Sequence, residues 1–520
     1  MLTEGNHKVT ELEKKQYVFN GIINELFARI YNYNSNLLSK CNKGDECNYD
    51  EVFDFYITSN AISFLKNVYL GFITSQTFFL NIRCIIEGLA VKKAFEKNYF
   101  TITNFNLLKV QAPIIEYHQY KEFQNILDEC LFKHRVLKGY NEAKNVFQQS
   151  LPNLSNKEFN KVLRSQIPFS GNSKMTYKKI IYDNLGEEMA EAYGFLSTIV
   201  HPNSNYKKNT SDLLQVIVLT IERLRLEYNK KKQGTIDLKQ MDTFVKLSSD
   251  AKAFEEIINE ICINFKTISD YFEKNFGENY VSFTFTDLSH IYKEVSSDLI
   301  FGFVEQVKSK YKVILELLAS FHYVYIESDH VNQVFQLLKY NEFINSSNKD
   351  SNIKFDKQLK QGYEAYKEIY KNGVSYDLFV KKFSNKLGYT INENGDVKTY
   401  NELVKDFCNI FDVPDDSISL PKVLKLNYVE SQMLSHANGY MWFANSGAWG
   451  DVNNVFVNLN IMLAKICFTM YIIFKNYYDQ SNEYKYKKMA NLLKKAYKYI
   501  NNSQLMIIEI LNKRNGIIAQ

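Results

Sequence analysis

Proline and glycine are scarce in this 520-residue chain, at 6 and 20 residues. That scarcity argues against a turn-rich β architecture and for long uninterrupted helices, because proline interrupts regular structure and glycine marks tight turns. Cysteine is also thin. Seven residues spread without a dense framework exclude a disulfide scaffold and fit a reducing compartment. The one close pair, Cys41 and Cys47 in CNKGDEC, has no neighbouring CxxC or Cys/His pair to complete four ligands, so no metal is expected. There is no Gly-x-x-x-x-Gly-Lys-Ser/Thr loop, no strand-led Gly-x-Gly-x-x-Gly and no His-Glu-x-x-His, which removes the common nucleotide and zinc sites. No cofactor is expected. Gly447 and Gly450 in NSGAWGD read as a turn, because no lysine backs them as a phosphate cradle would require.

Other absences bear on location and partners. The opening MLTEGNHKVTELEKK lacks the basic-then-apolar order of a signal peptide. The most membrane-like stretch, residues 455–474, contains Asn458, Asn460 and Lys465, so a buried helix is expected there rather than a membrane span. Cytoplasmic localisation is the resulting expectation. The net charge of +5, from 63 basic and 58 acidic residues, neither demands nor excludes nucleic acid as a partner. The lysines at 485, 487, 488, 494, 495 and 498 are read as a solvated face opposite Met489, Leu492, Ala496 and Ile500.

What the chain does contain is 37 Tyr and 38 Phe, enough to fill large cores, and a repeat of itself. RCIIEGLA at Arg83 matches KVILELLA at Lys312, aligning Glu87 with Glu316. FNLLK at Phe105 matches FQLLK at Phe335, and GYNEAKNVF at Gly139 matches GYEAYKEIY at Gly362. KMTYKKI at Lys174 matches KTYNELV at Lys398, and His-Pro-Asn at His201 matches His-Ala-Asn at His436. Five matches in one order predict an all-α chain of two diverged copies of a helical-bundle unit, related by a pseudo-twofold. The expected division is 1–228, 229–478 and a basic C-terminal helix at 479–520.

An amphipathic helix should open each copy. Val9, Leu12, Phe19, Ile22, Ile23 and Leu26 make one stripe, and Phe244, Leu247, Phe254, Ile258, Ile261, Phe265 and Ile268 the other. Breaks are expected at 41–50, 152–157, 202–208, 230–235, 344–352, 392–396 and 413–417. Residues 275–285, NFGENYVSFTF, are read as a short strand or an aromatic loop.

The chemistry-bearing residues follow the repeat. Arg83 and Glu87 stand four apart on one helix face, either as an internal ion pair that fixes packing or as two walls of a polar pocket. Lys312 and Glu316 repeat the charges without the guanidinium fork. His201 follows the helix GEEMAEAYGFLSTIV, with Ser197 one turn earlier and Asn203 two residues later; His436 with Asn438 repeats the histidine and the asparagine but not the serine, since Ser435 is adjacent and Ser431 five earlier. The asparagines are expected to cap helix ends or to bind a phosphate or amide. A nucleophilic Ser197 would need a Gly-x-Ser-x-Gly elbow, which is missing. If Arg83, Glu87 and His201 met, they would form a catalytic set for a phosphodiester, with His201 moving a proton and Arg83 stabilising negative charge. Asn203, Ser197, Lys312, Glu316, His436 and Asn438 would then be ligand-binding residues.

The Arg-x-x-x-Glu helix followed by a helix ending near Ser-x-x-x-His resembles a family of uncharacterised bacterial all-helical proteins, some found near stress or mobile-element genes. The resemblance covers about residues 53–206, and more faintly 289–440. It implies a helical fold and a stress or phage-defence role, with no catalytic assignments. Helical metal-independent ribonucleases carry Arg followed within four to six residues by His, a spacing that no arginine here provides. The expected function is therefore a macromolecular interaction or regulatory effector protein, with a protein partner or self-association favoured. An atypical ribonuclease-like phosphodiesterase is the alternative.

Overall fold

The computed structural model describes residues 11–43, 46–73, 75–122, 131–165, 167–200, 210–229, 249–277, 280–301, 303–323, 400–411, 420–438, 440–443 and 452–518, with isolated positions at 363, 364, 367 and 375. His201, Asn203, Gly447, Gly450 and the expected breaks at 202–208, 230–235, 344–352, 392–396 and 413–417 lie outside them. All regular structure among the described residues is helical, and the fold is an all-α multi-helix bundle.

Helices α1 (Glu11–Lys43), α2 (Tyr49–Leu70) and α3 (Gln76–Glu96) come first. The break near 41–50 is enforced by a reciprocal cap in which the Asn48 side chain accepts from the Glu51 amide and the Glu51 side chain accepts from the Asn48 amide. Gly71, at φ 75°, ends α2 in the left-handed conformation, and the Ser75 hydroxyl caps α3 by accepting from the Phe78 amide. Both helices are buried around nearly their whole circumference, as befits central helices. α4 (Ile102–Glu122), α5 (Leu131–Ser150), α6 (Asn156–Leu163), α7 (Tyr177–Leu185), α8 (Glu187–Ile199) and α9 (Thr210–Tyr228) follow, with α7, α8 and α9 all touching α3.

The second run is α10 (Ser249–Phe276), α11 (Tyr280–Phe301), α12 (Val304–Phe321), α13 (Tyr400–Asn409), α14 (Leu420–Leu434), α15 (Tyr440–Phe443), α16 (Val452–Ser481) and α17 (Tyr484–Ile518). The stripe on α10 is the one the sequence shows: Phe254, Ile258, Ile261, Phe265 and Ile268 are all buried. On α1 the stripe needs correction. Phe19 is 40% exposed, and the core face runs through Ile23, Leu26, Phe27 and Ile30. Residues 275–285 also differ from the strand or loop expected. Gly277, at φ 82°, ends α10, and Val281, Phe285, Leu288 and Tyr292 recur at helical spacing on the buried face of α11.

α16 is long and apolar enough to cross a membrane by length and composition. Here it turns back at Asn482, φ 55°, and packs against α17, which also packs on α10. Its Asn460 is fully buried and accepts a hydrogen bond from the Tyr292 hydroxyl. On α17, Lys487, Lys488, Lys494, Lys495 and Lys498 face solvent while Met489, Ala496 and Ile500 are buried, as their spacing requires. One continuous apolar core joins the first run of helices to the second, with α2 and α3 meeting α11 and α12 at the seam.

Candidate functional site

The seam contains two buried polar clusters. The first is built on α3, whose central turn places Arg83 and Glu87 on one face, with Arg83 Nε donating to Glu87 Oε1 at 3.1 Å. Tyr193, from α8, donates its hydroxyl to the same oxygen at 2.8 Å. The other oxygen, Oε2, faces the segment after α14: it accepts the Ala437 amide at 3.3 Å and lies 3.3 Å from His436 Nδ1. Arg83 Nη2 is also 3.3 Å from His436 Nδ1. These two contacts are alternatives. Nδ1 either accepts from Arg83, leaving the proton on Nε2, or donates to Glu87, leaving Nε2 bare. The ring stacks on Tyr177 of α7 with centroids 5.8 Å apart and planes 7° apart, and the Cys84 thiol donates to the Ser435 carbonyl beside it.

Burial alone would raise the Glu87 carboxyl, but Arg83, then His436 and Tyr193, hold it down at about 2. Burial opposes the Arg83 charge, and Tyr193 and Glu87 more than offset it, so Arg83 stays cationic. Burial lowers His436 below its ordinary value, with Arg83 and Lys312 adding to the fall and Glu87 opposing it. The imidazole is therefore neutral near pH 7. Its side chain is 24% exposed where Arg83 is 6% and Glu87 0%, which makes it the route by which solvent reaches this trio.

On α12, Lys312 and Glu316 are buried beside this trio. Glu316 does not copy Glu87 fully. Its Oε1 accepts the Tyr428 hydroxyl at 3.0 Å, as Glu87 accepts Tyr193, but it forms no ion pair with Lys312. Asn438 acts as a cap, donating its side-chain amide to the Met433 carbonyl at 3.3 Å. Ser431 and Ser435 donate to carbonyls of their own helix, at 2.6 and 2.9 Å, which occupies both hydroxyl protons. Ser197 lies half-exposed on α8. The structure thus brings together Arg83, Glu87 and His436, with Lys312 and Glu316 alongside. The imidazole that sequence reasoning assigned to Arg83 and Glu87 was His201; among the described residues that position is held by His436, from the other run of helices.

The second cluster was missed. Lys310 of α12 is fully buried and pairs with both Glu294 and Asp298 of α11, while Lys66 of α2 pairs with Asp298. Glu294 also accepts from the Asn67 side chain (2.7 Å), Thr77 (2.6 Å) and Ser75, and Ser63 donates to Asp298 while accepting from Lys310 (2.9 Å) and Asn81 (3.0 Å). Glu294 and Asp298, four apart on one face of α11, were the available signal. No group of His, Cys, Asp and Glu among the described residues could hold a metal ion.

Comparison of the chain with protein-family models, curated proteins and solved structures gives no match in any of the three.

Proposed function

We propose that this chain is a macromolecular interaction or regulatory effector protein made of two diverged copies of one helical-bundle unit, joined so that each copy completes the other. The observation that carries the reading is the hydrogen bond that Glu87, in the first copy, accepts from the Ala437 amide in the second, with the His436 ring 3.3 Å from the same oxygen. Two further features support duplication. Tyr193 stands eight residues before His201 and Tyr428 eight before His436, and each tyrosine donates to the glutamate of its own copy. A carboxylate that holds the other copy's backbone couples the two lobes mechanically, so binding on one is felt on the other. A protein partner or self-association is the favoured ligand of such a two-lobed surface, in a cytoplasmic setting.

A second reading, a ribonuclease-like phosphodiesterase, draws support from one observation. The His436 imidazole is neutral, fixed by Tyr177 and Glu87, and partly open to solvent, as a general base must be. Labelled RNA and DNA incubated with the full-length protein separate the readings. The effector reading expects binding or no change, without strand scission. Cleavage that is lost in His436→Ala or His201→Ala, with folding and oligomeric state intact, would transfer the conclusion to the enzyme.

A further inference from the structure

The charge of the chain is not spread evenly. α17 carries eight basic residues and one acidic residue, against a net charge of +5 for all 520 residues, so the remainder of the chain is slightly acidic. One side of α17 is committed to the core: Met489, Leu493, Ala496 and Ile500 are buried, and the helix packs on α16 and α10. On the opposite side Lys487, Lys488, Lys494, Lys495 and Lys498 are all exposed at helical spacing. They form one row, about 16 Å long at 1.5 Å per residue. Of the five, only Lys495 has an ion-pair partner among the described residues, Glu260 of α10 at 3.2 Å. Three others lean on tyrosine rings of neighbouring elements: Lys487 on Tyr478, Lys488 on Tyr271 and Lys494 on Tyr471, with the ammonium 5.4, 5.1 and 5.5 Å from the ring centroid. Those rings hold the lysine stems in place before anything binds, which lowers the ordering cost of binding.

The same outer line changes character at both ends. Tyr484, one turn before the lysines, is 72% exposed, and Leu505 and Met506, two turns after Lys498, are 71% and 52% exposed. We propose that this face of α17 docks on an anionic lipid surface. The lysines meet headgroup phosphates, Tyr484 lies at headgroup level, and Leu505 and Met506 enter the boundary of the acyl chains. Glu509, the one acidic residue of the helix, stands beyond the apolar pair and away from the lysines. A nucleic-acid backbone would be served by the lysines but would leave Leu505 and Met506 with nothing to meet, and none of the five cations offers the guanidinium fork. A second copy docked on this face about a twofold axis would set lysine against lysine. α17 stays seated on α16 and α10, so the protein lies on the lipid surface rather than spanning it. The inference goes beyond the effector reading and does not rest on it.

Co-sedimentation of the full-length protein with phosphatidylcholine vesicles, with and without about one-third phosphatidylserine and at about 0.1 M salt, tests this. Binding at least about tenfold tighter to the anionic vesicles is expected, falling away as salt rises toward about 1 M. Lys487→Gln, Lys494→Gln and Lys498→Gln together should weaken it about a hundredfold, at about fivefold per lysine. The same charge removed from exposed lysines of α6 and α7, by Lys157→Gln, Lys161→Gln and Lys179→Gln, should leave it unchanged. Leu505→Gln with Met506→Gln should weaken it at least about tenfold at constant charge. Every substituted side chain except the exposed pair's neighbours in the core is solvent-facing, and the wild-type contrast between the two vesicle types decides without any variant. No preference for anionic vesicles, equal losses in the two lysine triples, or full binding without Leu505 and Met506 overturns the proposal. So does a short oligoribonucleotide bound more tightly than the vesicles through the same lysines, which would assign the face to nucleic acid.

Discussion

Two clusters of buried charge lie at the same seam, and they differ in how far solvent reaches them. Around Lys66, Lys310, Glu294 and Asp298, two cations meet two carboxylates and neighbouring hydroxyls and amides fill the remaining acceptor positions. Around Arg83 and Glu87 the carboxylate is equally well served, but the adjoining imidazole reaches solvent. A network whose cations and carboxylates are all paired fixes how helices pack. A cluster beside it with one ring open to solvent is where a proton or a ligand can enter.

The largest expected effect breaks the cluster around Lys66, Lys310 and Asp298. Asp298→Ala strips Lys66 of its carboxylate and halves the compensation of Lys310, so a loss of about 3–5 kcal/mol in unfolding free energy is expected from denaturant titration. A loss below about 1 kcal/mol would mean the lysines relax to solvent. Glu87→Gln should follow at about 3 kcal/mol at pH 7, because the folded carboxyl sits at about 2 against an ordinary value of 4.5. Since the folded value is the lower, this stability is complete above about pH 4.5 and drains away as pH falls toward 2. His436 adds an earlier limb of the same sign. Its folded value lies below its ordinary 6.5, so the unfolded chain binds the proton first and stability begins to fall as pH drops through 6.5. Relative to wild type, Glu87→Gln should shrink the lower limb and His436→Gln the upper one, in unfolding titrations from pH 8 to 3.

A smaller effect tests the close approach of α2 and α3 next to Glu87. A Cβ added at Gly88 would lie 2.6 Å from Ile57 Cγ1, so Gly88→Ala should cost about 1–3 kcal/mol through overpacking, despite alanine's better helix propensity. A stabilised variant would show that Ile57 has room to turn away. Smallest in size, and opposite in sign, is Lys312→Met, which should leave the melting temperature at or above that of wild type by removing a charge that burial disfavours more than Glu316 favours it. A clear drop would mean Lys312 is already paired in solution.

The sequence made the helical class legible through periodicity, as at Phe254, Ile258, Ile261, Phe265 and Ile268, and it placed Arg83 and Glu87 on one face because a four-residue spacing is a local property of a helix. The identity of the imidazole beside them was not legible. Choosing between His201 and His436 depends on how two distant runs of helices dock, and no local spacing carries that information. The second cluster was hidden for a related reason: Lys66 and Asp298 are 232 positions apart, and each alone looks like an ordinary polar residue on a helix face.

The account stands or falls on the tie between Glu87 and the segment around His436. A double-mutant cycle with Glu87→Gln and His436→Gln, read as unfolding free energy at pH 7, measures it directly. Residues in one hydrogen-bonded cluster should couple by about 0.5–3 kcal/mol, with the double variant less destabilised than the sum of the singles. Additive losses, equal within about 0.3 kcal/mol, would contradict the account by showing that the two runs of helices do not meet through this carboxylate.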